Sequence, residues 1–364
     1  MTEPEPLQQV GRTHVRFRGR RFSYFSGCDY FRLSSNPEVL RATGAGLKRY
    51  GLNVAASRLT TGNHVIYQKL EERLARFFGA QAALLVPNGY ITNQVVAQSL
   101  AGEFSHGLID EAAHPSLKDA ARFLECPVHR FKHQDADDLK GVARKCGRQS
   151  RILLLTDGMF SNDGSTSPLK GYLEALPVSA MMLVDDAHAA GVLGKTGKGS
   201  LEYHGVSRQR TIQTITLSKA FGVFGGAVLG IRKLRQRILD KSGAFIGSTP
   251  LPLPLAAAAL ASIDFLSKNK NLRVRLAENA IYVKQKLRQG GLDIEDAPVP
   301  IIQITPRNKR EVESLTSSLL NGGIYPPFVK YPEGPQAGFF RFVISSEHTR
   351  AQLDALVGAI MSIQ

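Results

Sequence analysis

Six short apolar runs, separated by polar or helix-length segments, constrain this chain more than any other feature. They are AALLV (82–86), GLID (107–110), RILLLT (151–156), AMMLVD (180–185), TIQTIT (211–216) and AVLGI (227–231). Continuous runs of this length read as strands buried on both faces. Strands of that kind joined by helix-length crossovers make a mostly parallel sheet. HVIYQKLEERLARFF (64–78) supplies one such helix, with Ile66, Leu70, Leu74 and Phe77 on one side. The fold class expected is α/β, and 364 residues suffice for one large domain plus a smaller one.

Near Pro250–Pro254 the composition changes, and a helical stretch follows over roughly 255–287 with Asn269 and Asn271 as its weak point. Beyond it, PIIQIT and FFRFVIS read as strands, and RNKREVESLTSSLLNGG and the last residues as helices. This is the pattern of a smaller α+β lobe. The division expected is an N-terminal segment (1–35), a large domain (36–262) and a C-terminal small domain (263–364).

Hydrophobic residues at 43% and charged residues at 21% describe a folded globular protein and exclude a disordered one. The net charge of +15 fits nucleic-acid binding, steering of an anionic small molecule, or a basic solvated surface. The basic residues are spread along the chain without an aromatic-interleaved motif, so no nucleic-acid partner is expected. MTEPEPLQQV has two glutamates and no apolar core, unlike a secretory leader. LPLPLAAAALASIDFL is broken by prolines and an aspartate and is too short to span a bilayer. Three cysteines, Cys28, Cys126 and Cys146, suggest reduced thiols in the cytoplasm, with no metal framework.

In open α/β sheets, ligands gather beyond the carboxyl ends of the strands. The residues that follow each run are therefore the informative ones. AALLV leads to PNGY, with Gly89 opening a helix, and GLID leads to His114. RILLLT leads to DGMFSNDG with Ser161, AMMLV to Asp185, Asp186 and His188, and TIQTIT to Leu217, Ser218 and Lys219. Each has a plain structural reading. Gly89 can serve only the backbone, His114 can start a helix before proline, and Lys219 can snorkel to water. Asp185 and His188 form D-x-x-H, but without a third ligand nearby no metal is expected. AAGVLGKT (189–196) approximates a phosphate loop, but its first position is Ala189 and no helical pattern follows it, so a close-packed turn is the better reading.

Taken together, a lysine, a carboxylate, imidazoles, hydroxyls and a helix start at successive strand ends match what pyridoxal phosphate requires. The lysine amine carries the cofactor as an imine, a carboxylate keeps the pyridine nitrogen protonated, and a helix N-terminus with hydroxyls holds the phosphate. LVDDAHAAGVLGKTGKG and TLSKAFGVFGG then resemble the α-oxoamine synthase family of fold-type I pyridoxal phosphate enzymes. The similarity runs from CDYFRLSSNP through ASRLTTGNHVIYQKLEERLARFFG, NGYITN, DEAAHPSL, TDGMFSNDGS and YPPFVKYPEG to RFVISSEH, and is strongest towards the biotin-pathway branch.

The resemblance implies roles for particular residues. Lys219 corresponds to the Schiff-base lysine and freed base, Asp185 to the partner of the pyridine nitrogen, and His188 to the residue near the phenolic oxygen. His114 corresponds to the imidazole stacked on the ring, which Ser161 also lines. Gly89 and Tyr90 would offer amides to the phosphate and Thr216 a hydroxyl. Ser248 or Thr249 would reach the phosphate of a neighbouring subunit in a homodimer with shared sites. Arg341 would take the amino-acid carboxylate, for which a planar fork suits. The activity implied is decarboxylative condensation of a small amino acid with an acyl thioester to an aminoketone. The alternatives are an aminotransferase, or a synthase of the 2-amino-3-ketobutyrate CoA ligase or serine palmitoyltransferase kind.

The chain departs from the family pattern at several positions. The usual S-N-D-Y-L-G-L reads GCDYFRL, which puts Cys28 where an asparagine helps hold the substrate carboxylate and Arg32 where a glycine stands. The glycine-rich G-S-G-G-S-R reads NVAASR, with Ala55 and Ala56, and DDAHG becomes DDAHA at Ala189. These changes leave the cofactor set whole and bear on the substrate pocket.

Overall fold

A computed structural model describes residues 5–331, 335 and 337–362. The Pro332–Gly334 end of YPPFVKYPEG lies outside the described residues. Contacts divide the chain into two compact units. One comprises 36–160 and 166–270; the other comprises 271–364, 161–165 and the N-terminal segment up to residue 35.

The smaller unit begins with β1 (Gln8–Gln9), β2 (His14–Phe17) and β3 (Arg20–Ser23), an antiparallel sheet in that order. In the larger unit α1 (Pro37–Tyr50) and α2 (Val65–Phe78) precede the main sheet. Then come β4 (Ala82–Val86), α3 (Gly89–Ser99), β5 (His106–Asp110), α4 (Pro115–Ala121), β6 (Val128–Phe131) and α5 (Ala136–Lys145). The unit continues with β7 (Ile152–Asp157), α6 (Leu169–Ala175), β8 (Met181–Asp185), α7 (Ser200–Tyr203) and β9 (Thr211–Thr216). It closes with β10 (Gly226–Gly230), α8 (Arg232–Lys241), α9 (Gly243–Ile246) and α10 (Leu253–Lys268). The smaller unit resumes with α11 (Asn271–Gln289), β11 (Ile301–Ile304), α12 (Lys309–Asn321), β12 (Phe328–Val329), β13 (Phe339–Val343) and α13 (Arg350–Met361).

The main sheet has seven strands in the order β4-β10-β9-β8-β7-β5-β6. Only β10 runs against its neighbours, pairing antiparallel with both β4 and β9. All six expected runs are strands. The seventh, β6, is VHRF, an edge strand whose His129 and Arg130 face solvent, so its sequence lacks the apolar signature of the interior strands. Alternate side chains feed two cores. Leu153, Leu155, Leu183 and Ile212 pack with α3 and α4 residues such as Val95 and Leu117. Ile152, Leu154, Met182 and Val184 pack with Leu139 of α5 and Tyr172 of α6. Each fully buried side chain of this size contributes about 1.5–3 kcal/mol.

Asn269 ends the long helical stretch. Its amide N and Nδ2 both donate to the Phe265 carbonyl, at 2.9 and 2.8 Å, and the boundary between the units follows at 270/271. The phosphate-loop lookalike is a glycine-rich turn that holds an anion of its own chain. The Thr196 and Lys198 amides and the Thr196 hydroxyl donate to the Glu202 carboxylate at 2.8–3.2 Å. Glu202 occupies the place a phosphate would need.

Candidate active site

In the larger unit a cavity of about 490 Å³ opens at the carboxyl ends of the strands. Gly89, Tyr90, His114, Asp185, His188, Thr216 and Lys219 line it. The volume is that of a small-molecule site.

One wall is the start of α3. The Asn88 side chain caps it by accepting from the Ile91 amide at 3.1 Å, which leaves the first-turn amides of Gly89 and Tyr90 available to an anion. A Cβ on Gly89 would lie 2.7 Å from the Thr216 Cβ, so only glycine lets the helix start approach β9 this closely. Gly226, opposite Thr216 in the ladder, plays the same part. A Cβ there would meet the Asn88 carbonyl at 2.8 Å and the Thr92 hydroxyl. The Thr216 hydroxyl donates to the Gly225 carbonyl at 3.1 Å and accepts from the Ser218 amide at 3.2 Å.

Lys219 is not the end of strand β9 but part of the turn joining β9 to β10. That turn is closed by bonds from Leu217 N to Gly225 O, Val223 N to Leu217 O and Gly222 N to Lys219 O, each 2.9 Å. Its side chain is half-buried, so the amine reaches the cavity without entering the apolar core.

Asp185 ends β8, buried, and lies beside Asp157 in the parallel register. Its Oδ2 accepts from Asn93 Nδ2 at 2.6 Å and its Oδ1 from the Ala187 amide at 3.0 Å. Asn93 is itself fixed, because the Thr214 hydroxyl donates to its Oδ1 at 2.7 Å. Burial first, then the Asp185 charge, pushes the Asp157 carboxyl well above the usual range. The Asp157 proton is thus held more tightly than in an ordinary carboxyl, while its neighbour Asp185 is fixed by donated hydrogen bonds on both oxygens.

His114 caps α4. Its Nδ1 accepts from the Ser116 amide at 3.2 Å and lies 2.8 Å from the Ser116 hydroxyl, which puts the ring proton on Nε2. Burial, followed by the Lys219 and Lys118 charges, lowers its pKa against the pull of Asp185, so the imidazole is neutral at pH 7. Its ring meets the Tyr90 ring edge-to-face at 6.1 Å, and the Tyr90 hydroxyl donates to Asp119 at 2.6 Å. His188 is buried at the same cavity wall.

The remaining expected residues lie elsewhere. Ser248 donates to the Ala244 carbonyl and Thr249 is exposed; neither lines this cavity. Ser161 and Arg341 belong to the smaller unit, where Arg341 Nε donates to the Ser161 carbonyl. The Arg341 guanidinium is buried, with its terminal nitrogens 3.6 and 3.7 Å from the Cys28 Sγ. Arg32 has φ +53° and Ala55 φ +49°. Both stand in left-handed backbone where a glycine would be unstrained. The buried Arg32 side chain donates to the Tyr24 carbonyl at 3.1 Å and stacks over the Tyr24 ring, contacts that offset part of the cost of burying its charge.

Asn88, Asn93, Ser116, Asp157 and Phe224 escaped sequence reasoning, although all but Asn93 line the cavity. Asn93 had a usable signal: it falls four residues after Gly89, on the same face of α3.

The residues fit pyridoxal phosphate. A cradle that a Cβ would fill, a fixed carboxylate, a neutral imidazole and a reachable amine surround one volume of the right size. The family model for class I and II aminotransferases matches residues 29–360. The 8-amino-7-oxononanoate synthase of Symbiobacterium thermophilum is 34% identical over 360 residues, covering 98% of this chain and 92% of that protein. The Bacillus subtilis 8-amino-7-oxononanoate synthase 1 is 32% identical over 356 residues, covering 97% and 91%. Among solved structures, a serine palmitoyltransferase from S. paucimobilis with a bound pyridoxal phosphate–myriocin aldimine has a TM-score of 0.93 at 25% identity, covering all of this chain and 93% of that one. The Francisella tularensis 8-amino-7-oxononanoate synthase shares the fold at a TM-score of 0.81 and 24% identity, covering 94% and 97%. By its cavity and by these matches, the chain belongs to the class I and II aminotransferase family and, within it, to the pyridoxal phosphate-dependent α-oxoamine synthases.

Proposed function

We propose that this enzyme condenses a small amino acid with an acyl thioester, with loss of carbon dioxide, as an 8-amino-7-oxononanoate synthase does in biotin biosynthesis. The observation that carries the reading is the shared cavity of Lys219 and Asp185, walled by a helix start that only glycine permits. When bound, the cofactor supplies an electron sink for the substrate's α-carbon.

The chain's own residues do the rest. The Gly89 and Tyr90 amides would hold the phosphate, and the Asp185 carboxyl, fixed by Asn93 and the Ala187 amide, would face the pyridine nitrogen. The neutral His114 ring would lie against the cofactor face without adding positive charge, and His188 would meet the phenolic oxygen. The Lys219 amine, which lines the cavity, would hold the cofactor and serve as the base that takes the α-proton. With the cofactor bound, the α-carbon would bond to the acyl carbon as the thiolate leaves, and loss of the former carboxylate as carbon dioxide would leave an electron pair that a proton returned from Lys219 takes up. Arg341 takes the amino-acid carboxylate, with Cys28 beside its guanidinium. Ser161 would line the ring, and Thr216 would offer the phosphate its hydroxyl, turned from the Gly225 carbonyl to which it now donates. Ser248 or Thr249 serves the phosphate of a second copy in a cytoplasmic homodimer.

Among the described residues no helix is long and apolar enough to cross a membrane. The deciding experiment crosses a panel of amino acids with acyl thioesters and measures free thiol. Thiol release with alanine, glycine or serine is expected. Amino transfer to a keto acid, with no thiol released, would overturn the reading in favour of an aminotransferase.

A further inference from the structure

Towards the amino ends of the parallel strands, away from the cavity, lies a side-chain cluster that the condensation does not use. His106 opens β5 and His129 lies in the edge strand β6. In the register Leu108 pairs with His129, and residues two apart share a face, so His106, Leu108 and His129 project to one side of the sheet. On that side Leu139 and Ala143 of α5 join Leu108 in one buried cluster, and Cys146, which caps α5, packs at its rim. Three elements thus bring two imidazoles and a thiol together. The imidazoles stack with centroids 5.8 Å apart, and one ligand atom from each of the three residues lies within 4.8 Å of the others.

The bonding around His106 prepares it to ligate. The Ser105 hydroxyl donates to the Arg151 carbonyl at 3.2 Å and accepts from the Arg151 amide at 2.9 Å. Its only proton is used, so His106 Nδ1, 3.1 Å away, must donate to it, which leaves Nε2 with an open lone pair. Metal-bound histidines commonly have their second nitrogen fixed in this way. Cys146 is a neutral thiol whose Sγ donates to the Val142 carbonyl at 3.4 Å, the raised pKa coming from burial.

We propose that His106, His129 and Cys146 form a site for a borderline-soft divalent cation such as Zn²⁺, with water as the fourth ligand. Two nitrogens and a sulfur with no carboxylate select against hard cations. Tetrahedral bonds of about 2.0–2.3 Å put ligand atoms roughly 3.3–3.7 Å apart, so a small rotation of the exposed His129 ring closes the cluster. β6 pairs with β5 alone, so a cation here ties the edge strand and the end of α5 to the sheet. Its role is structural, and turnover does not depend on it.

The test titrates the purified holoenzyme with Co²⁺, whose tetrahedral thiolate complexes absorb in the red, away from pyridoxal phosphate. One equivalent should bind saturably, and Zn²⁺ should displace it. Cys146→Ser should abolish the band and His129→Ala should weaken binding by at least ~10-fold, with thiol release unchanged in both. Zn²⁺ should raise the Tm of the wild type, raise that of His129→Ala less at the same concentration, and leave that of Cys146→Ser unchanged. The proposal is overturned if no saturable band forms, or if the band survives both substitutions. His129 is exposed on an edge strand, so its variant keeps the test valid if Cys146→Ser fails to fold.

Discussion

The carboxyl edge of the main sheet and the Cys28–Arg32 segment of the smaller unit are built on opposite principles. At the sheet edge each chemical group has a partner supplied by a neighbouring strand or helix. Asn93 and an amide hold Asp185, Thr214 holds Asn93, and the Ser116 amide fixes His114. In the Cys28–Arg32 segment, a thiol stands beside the Arg341 guanidinium and an arginine occupies left-handed backbone. The first region carries the residues proposed above to hold the cofactor. The second carries Cys28 and Arg341, proposed to meet the substrate, and two of the positions, Cys28 and Arg32, at which the chain departs from the family pattern.

The largest effect belongs to the sheet edge. Lys219→Ala should cut thiol release at least ~10³-fold, as expected when the amine that serves as base and cofactor anchor is lost. Its counterpart in the smaller unit, Arg341→Ala, should act on binding and raise the amino-acid KM at least ~10-fold, for a charge-assisted contact worth ~1.5–3 kcal/mol. An unchanged KM would show that the carboxylate is bound by another group.

Acid titration separates the two regions by sign. Burial pushes the Asp186 carboxyl from 3.8 up to about 6. The native state holds that proton more tightly than the unfolded chain, so Asp186 withdraws stability as pH rises from about 4 to about 6. Burial and the Arg32 charge lower His348 from 6.5 to about 3, so its contribution is lost as pH falls through that range. Denaturation midpoints of Asp186→Asn and His348→Gln against wild type should differ with opposite slopes, each at most about 1.4 kcal/mol per pH unit. Slopes of the same sign would refute one of the two assignments.

The smallest effect is at Cys28. Cys28→Asn should shift the amino-acid KM by two- to tenfold, about 0.5–1.5 kcal/mol, and leave the cofactor absorption unchanged. A changed absorption spectrum would mean that the segment acts on the cofactor as well.

The sheet was legible because its strands are buried on both faces, and such strands must be apolar throughout. β6 was not, because an edge strand is allowed polar side chains, nor were β1, which is two glutamines long, and β2 and β3, whose arginines mask their alternation. The chemical groups of the cavity were legible because successive strand ends fall into one neighbourhood in this topology. Asn93, Ser116 and Asp157 were not, because a residue that fixes another looks like any buried polar group until its partner is known. The His106–Cys146 cluster was invisible for a related reason. Its members are 40 residues apart in sequence, with His129 between them, and only strand register and the end of α5 bring them together.

The reversed direction of β10 has a mechanical consequence. Gly226 opens that strand directly after the Lys219 turn, and it also abuts the carbonyl that begins α3. The turn that carries the Lys219 amine and the start of α3, proposed above as the phosphate cradle, are therefore both built against Gly226. If the sheet flexes, the two travel together, and the span between them is preserved while the rest of the cavity wall shifts.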